Sequence, residues 1–159
     1  MLEMTLRKRD GGLVLEGLGE PNARLQPGFS MRRGSIVLND DRVLPIEVND
    51  PWRSGATLTN GDNRILRLDP RRADLPDSPP ARWTVQRGFG GYRAAITRGS
   101  DKIELWLPKL HGKHIRVSVT GTWRHLELIA LAACFALLAR RRGDTFRTMA
   151  VIGATGHAR

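Results

Sequence analysis

Twelve consecutive residues, Leu128-Ile129-Ala130-Leu131-Ala132-Ala133-Cys134-Phe135-Ala136-Leu137-Leu138-Ala139, carry no polar side chain. The run is rich in alanine and leucine, nearly free of β-branched residues and too long for an ordinary strand, so a helix over about 124–142 is expected. Thr122 is placed as its N-cap, with Glu127 in the anion-favouring first turn. Arg140-Arg141-Arg142 sits at the cation-favouring end, and Gly143 serves as a stop. A helix that is apolar on every side needs apolar surroundings on every side. Lipid would provide them, but a bilayer span takes about 20 residues, and Glu127 and the arginines bound this run tightly. Without a transmembrane span, the helix must be enclosed by the rest of the chain.

The rest reads as short strands joined by turns. Leu13–Glu16, Ser35–Leu38, Val43–Val48, Ala56–Thr59 and Arg64–Leu68 precede a proline-rich stretch from Pro70 to Arg82, read as a long surface loop. Trp83–Gln86, Tyr92–Ile96, Lys102–Leu107 and the stretch around Ile115, Val117 and Val119 follow it. Asn60-Gly61 is a strong hairpin signal, Asn39-Asp40-Asp41 reads as a turn, and Gly88-Phe89-Gly90-Gly91 as another hairpin turn. Ile103, Leu105 and Leu107 alternate with polar neighbours, as a half-buried antiparallel strand requires. The expected fold is therefore mainly β: an antiparallel barrel of short strands wrapped around one buried apolar C-terminal helix. Closure also removes exposed strand edges. The domain is assigned to residues 1–142, and residues 143–159 to a C-terminal tail.

Antiparallel strands followed by one hydrophobic helix near the C-terminus resemble the tubby-like barrel superfamily, which includes the tubby C-terminal domain, the phospholipid scramblases and the LURP-one-related proteins. The stretch from His114 to Arg142 carries most of the likeness: a strand ending in Thr122-Trp123, then His125-Leu126-Glu127 and the apolar run. The resemblance covers residues 5–142 and is one of pattern and order. It implies a non-enzymatic, membrane-linked role, with phosphoinositide binding in tubby. No lipid-contacting residue of tubby and no calcium-binding segment of the scramblases matches position by position, and residues 143–159 continue past the helix that usually closes such domains.

The chain is basic, at +10 over 159 residues. Residues 1–80 hold 12 basic and 12 acidic side chains, whereas residues 81–159 hold 14 and 4, so the second half carries the whole excess. Such asymmetry points to a phosphate-bearing partner. The candidate phosphate- or lipid-contacting residues are Arg140, Arg141, Arg142, Arg147, Lys109, Lys113 and Arg116, since arginine forks suit phosphate oxygens. An anionic phospholipid surface is the leading partner and nucleic acid the alternative. The scarcity of free aromatic side chains weighs against a stacking groove.

No catalytic constellation, cofactor or metal is expected. Val151-Ile152-Gly153-Ala154-Thr155-Gly156 resembles the opening of a dinucleotide fold, but no helix, third glycine or ribose-binding acid follows it, so a flexible tail or stray strand is expected there. His111 and His114 sit beside Gly112 with no third ligand nearby. Cys134, the one cysteine, lies within the apolar run and reads as an inert buried thiol. With no disulfide framework and no secretory leader, the expected location is cytoplasmic or peripheral at the inner membrane face. The sequence fixes no oligomeric state.

Overall fold

The computed structural model describes residues 1–50, 55–109, 112 and 114–157; for Phe146 and residues 148–157 it describes the backbone alone. The strands are β1 (Leu2–Arg9), β2 (Gly12–Glu16), β3 (Ala23–Pro27), β4 (Arg33–Leu38), β5 (Val43–Val48), β6 (Ala56–Asn60), β7 (Asn63–Asp69), β8 (Arg72–Asp74), β9 (Arg82–Arg87), β10 (Gly91–Arg98), β11 (Asp101–Pro108) and β12 (Arg116–Thr120). The helix α1 (Leu126–His157) follows them.

Each strand pairs antiparallel with its neighbour in sequence, apart from a weaker seam between β8 and β9, and β12 returns to pair with β1 through Leu2↔Val119 to Thr5↔Arg116. At the seam, Ala73 and Ala81 exchange backbone bonds of 2.8 and 2.9 Å, and the Arg71 N–H donates to the Trp83 carbonyl at 3.0 Å. The result is a nearly closed antiparallel barrel wound around α1, as the apolar run requires.

Alternation decides which side chains meet the helix. Met4 and Leu6 of β1, Ile103, Leu105 and Leu107 of β11, and Val117 and Val119 of β12 point inward and are buried, while Glu104 and Arg116 face water. From Ile129 to Ala139 no helical residue is more than 3% exposed. Five of those eleven are alanines, which keep the helix thin enough for strands to approach on all sides. Phe135 is the bulky exception, and β4 makes room for it with Gly34: a Cβ there would stand 3.3 Å from the Phe135 ring and 2.8 Å from the Gln26 carbonyl. Gly121 turns the chain from β12 toward α1 at φ +87°, where a Cβ would overlap the Asp101 carboxylate.

Three sequence expectations need correction. The Pro70–Arg82 stretch is not wholly loop, because β8 lies within it and β9 begins at its end. Thr122 does not cap the helix; α1 begins at Leu126, after His125 in a left-handed conformation (φ 56°), and the first intrahelical bond runs from the Ile129 N–H to the His125 carbonyl. Gly143 does not stop the helix, which continues to His157 through the segment expected to be a tail or stray strand. The cause is tertiary. Asp144 is gripped by groups on the barrel rim and by Arg140 and Arg147 on its own helix face, which favours another helical turn over a left-handed cap.

Because the strands run up and down, turns alternate between the two barrel ends. One end holds the start of α1, where the Glu127 carboxylate accepts the Asn22 backbone N–H at 3.1 and 3.2 Å. The helix leaves through the other, past the turns at residues 10–11, 28–32, 49–50, 70–71 and 88–90 and past Lys109, Gly112 and residues 114–115.

Candidate functional site: the end where the helix leaves the barrel

Successive residues on a helix point about 100° apart, so three consecutive arginines cannot form one patch on a helix surrounded by strands. Arg141 and Arg142 reach two different turns, and Arg140 stays on its own helix. Arg141 donates to the Pro108 carbonyl at 2.9 Å and the Gly112 carbonyl at 2.7 Å, stapling the β11–β12 connection to the helix. Burial lowers its pKa from the usual guanidinium value. Arg142 lies over the Phe29 ring, 5.8 Å from its centroid, in the β3–β4 turn. Arg140 turns toward Asp144, with Nε 3.4 Å from Oδ1.

Asp144 is the centre of the rim. It is 8% exposed and accepts the Tyr92 hydroxyl at 2.7 Å, an Arg147 Nη2 at 2.5 Å and the Arg140 Nε, with Arg87 at 3.9 Å. Three arginines therefore surround one carboxylate, and the cluster retains positive charge. Burial, and then the hydrogen bond to Asp144, push the Tyr92 hydroxyl up to about 12. Tyr92 and Arg87 bracket the β9–β10 turn, so Asp144 fixes that hairpin to the helix as Arg141 fixes the next one.

Lys109, Arg141 and Arg142 line a cleft of about 480 Å³ with Phe29, Met31 and Leu138. The seven predicted residues thus separate. Lys109, Arg141 and Arg142 share the cleft, while Arg140 and Arg147 converge beside it on Asp144. Arg116 stands on the outer wall, stacked on Trp106 at 4.8 Å and away from the cleft. Lys113 lies outside the described residues, as does His111. Among the described residues, no three His, Cys, Asp or Glu side chains gather to hold a metal, and no helix is long and apolar enough to cross a membrane.

The electrostatic asymmetry runs from end to end of the barrel. Among the described residues, the helix-exit turns with residues 140–147 hold seven basic side chains (Arg32, Arg71, Lys109, Arg140, Arg141, Arg142, Arg147) and three acidic ones (Asp10, Asp50, Asp144). The opposite turns with the first turn of α1 hold six acids (Glu20, Asp40, Asp41, Asp62, Asp77, Glu127) and two arginines (Arg42, Arg124). Counting by halves of the sequence hides this, because each half contributes turns to both ends.

Two residues at the cationic end escaped the sequence reading. Phe29 is 95% exposed and Phe89 is fully exposed, and each occupies a turn on that rim. The signal was present in Gly28-Phe29-Ser30 and Gly88-Phe89-Gly90: an aromatic residue in a glycine turn has no strand or helix to bury it. No family model matches this chain, and neither a curated protein nor a solved structure shows significant similarity to it.

Proposed function

We propose that this protein is a non-catalytic domain that docks on anionic phospholipid surfaces through the end where α1 leaves the barrel. The observation carrying this reading is the coincidence, on one rim, of the net positive turns and the two solvent-facing phenylalanines. Basic residues near an anionic leaflet contribute about 1 kcal/mol each. A phenyl ring moved from water into apolar surroundings contributes about 1.5–3 kcal/mol. The acidic opposite end is repelled by the same leaflet, so the field orients the barrel as well as attracting it. On this reading the domain sits peripherally at the inner face of a membrane. A nearly closed barrel around a C-terminal helix is also close to the architecture that the tubby-like resemblance implies.

Nucleic acid is the weaker partner. A single-strand binder lines a basic groove with successive aromatic platforms, whereas Phe29 and Phe89 stand on separate turns, β3–β4 and β9–β10.

The test is flotation with neutral and anionic vesicles across a salt series. Binding to anionic vesicles alone, weakening as salt rises, and reduced by Lys109→Glu and Arg32→Glu, is expected. Equal binding to neutral and anionic vesicles, or binding to neither, refutes the proposal.

A further inference from the structure

Closure leaves one strand partly unpaired. In the β9–β10 hairpin the Gly88 N–H bonds the Gly91 carbonyl at 2.8 Å. By the alternation of an antiparallel ladder, Gln86 with Arg93 and Thr84 with Ala95 are then the hydrogen-bonded pairs. Trp83, Val85 and Arg87 therefore direct their backbone groups away from β10. An independent observation agrees, since the Trp83 carbonyl accepts the Arg71 N–H across the seam to β8. That contact is the last one on this side. β8 spans only Arg72–Asp74, and the chain turns back at Pro70-Arg71, so among the described residues nothing continues the ladder beyond Trp83. Among the described residues, the outward N–H and C=O groups of Val85 and Arg87 have no backbone partner.

An open edge of this kind is a template for another strand. We propose that the Thr84–Arg87 edge of β9 binds an extended acidic segment of a partner protein by strand addition. Charge selects the occupant. Arg82 and Arg87 lie at the ends of β9, and Arg71 flanks the seam. A second copy would bring two edges of like positive charge together, with no acidic residue in either β9 to offset the repulsion. An acidic extended peptide meets Arg82, on the outer face of β9, favourably and satisfies the outward backbone groups. The inference is independent of lipid binding.

The test uses the full chain and a fluorescein-labelled six-residue peptide of alternating glutamate and valine, with a lysine–valine peptide as control. Fluorescence anisotropy gives affinity, and amide hydrogen exchange at Val85 and Arg87 gives location. Both amides are expected to exchange freely in the free protein and to slow at least tenfold when the acidic peptide saturates. Val85→Pro removes an N–H that has no backbone partner among the described residues, at an edge position where proline is tolerated. It should cut peptide affinity at least tenfold, with the urea midpoint measured beside it because Val85 also packs against the core. Arg82→Glu, at an exposed position, should weaken the acidic peptide and spare the fold. Slow exchange of the two amides in the free protein refutes an open edge. Protection that rises with protein concentration alone replaces the partner strand with a second copy. Equal binding of the acidic and lysine peptides, or undiminished binding to Val85→Pro, also overturns the proposal.

Discussion

Cys134 reports on whether the helix stays enclosed. Its side chain is fully buried in the middle of the enclosed stretch, and burial pushes its thiol pKa far above the ordinary value, so a reagent must wait for the barrel to open. If labelling needs global opening, its rate relative to the denatured chain equals the open fraction. For a stability at the low end of the usual range, about 5 kcal/mol, that is a slowing of roughly 4,000-fold. Phe135→Ala changes the open fraction without touching the thiol. The ring is fully buried against Gly34, and losing a buried phenylalanine costs about 3–5 kcal/mol. The variant should therefore label roughly 100- to 4,000-fold faster than the parent, in step with its fall in urea stability. Phe135→Leu, which keeps part of the volume, should fall between. The assay is the absorbance of a water-soluble aromatic disulfide reacting under pseudo-first-order conditions. The reasoning fails if native protein labels as fast as denatured protein. It also fails if Phe135→Ala lowers the urea midpoint and leaves the labelling rate unchanged, since the helix would then leave the barrel by a separate route.

Other consequences are simpler to read. Tyr92→Phe removes the hydroxyl that Asp144 accepts, and urea unfolding should show a loss of about 1.5–3 kcal/mol, the worth of a bond to a charged group. The Tyr92 hydroxyl ionises near 12 in the folded protein and near 10 in the unfolded chain, so between those values only the folded state holds its proton. Stability from this group is therefore full below pH 10 and declines toward pH 12, and Tyr92→Phe should flatten that decline. Phe29→Ala and Phe89→Ala should each leave the urea midpoint within about 0.5 kcal/mol, because both rings face water. Each should weaken partitioning onto anionic vesicles by about 10- to 100-fold if its ring enters the bilayer, measured by flotation. Gly34→Val fills the space that Phe135 occupies and should cost about 1–3 kcal/mol by urea unfolding.

The enclosed helix was legible because a run with no polar side is a statement about surroundings as well as conformation. Its limits were not, because they depend on tertiary partners: Gly143 is a plausible stop until Tyr92 and Arg87 are known to lie beside Asp144. Among the strands, those with long inward alternation were read and the marginal ones were missed. β1 shows only Met4 and Leu6 before running into Arg7-Lys8-Arg9, β3 has only Ala23 and Leu25 fully buried, and β8 is three residues in a proline-rich stretch. For the basic residues, sequence proximity misled. Arg140, Arg141 and Arg142 are adjacent in the chain but face three directions on a helix, and their partners lie on the helix itself (Asp144) and in two different turns.

That division of labour changes what the arginine triplet can reveal about function. A guanidinium engaged by Asp144 or by carbonyl groups still contributes its charge to the field at the barrel end, because three arginines face one carboxylate there and the carbonyls carry no net charge. The same side chains also hold the rim turns against the helix, so replacing them alters both the field and the positions of Phe29 and Phe89. Loss of vesicle binding in a triplet variant would follow from either effect. Lys109 and Arg32 separate the two: both lie in helix-exit turns, and neither side chain has an ion-pair partner among the described residues. A charge reversal at these positions removes attraction and leaves the clamps in place. The electrostatic contribution is therefore measured at Lys109 and Arg32, and the structural one at Tyr92 and Asp144.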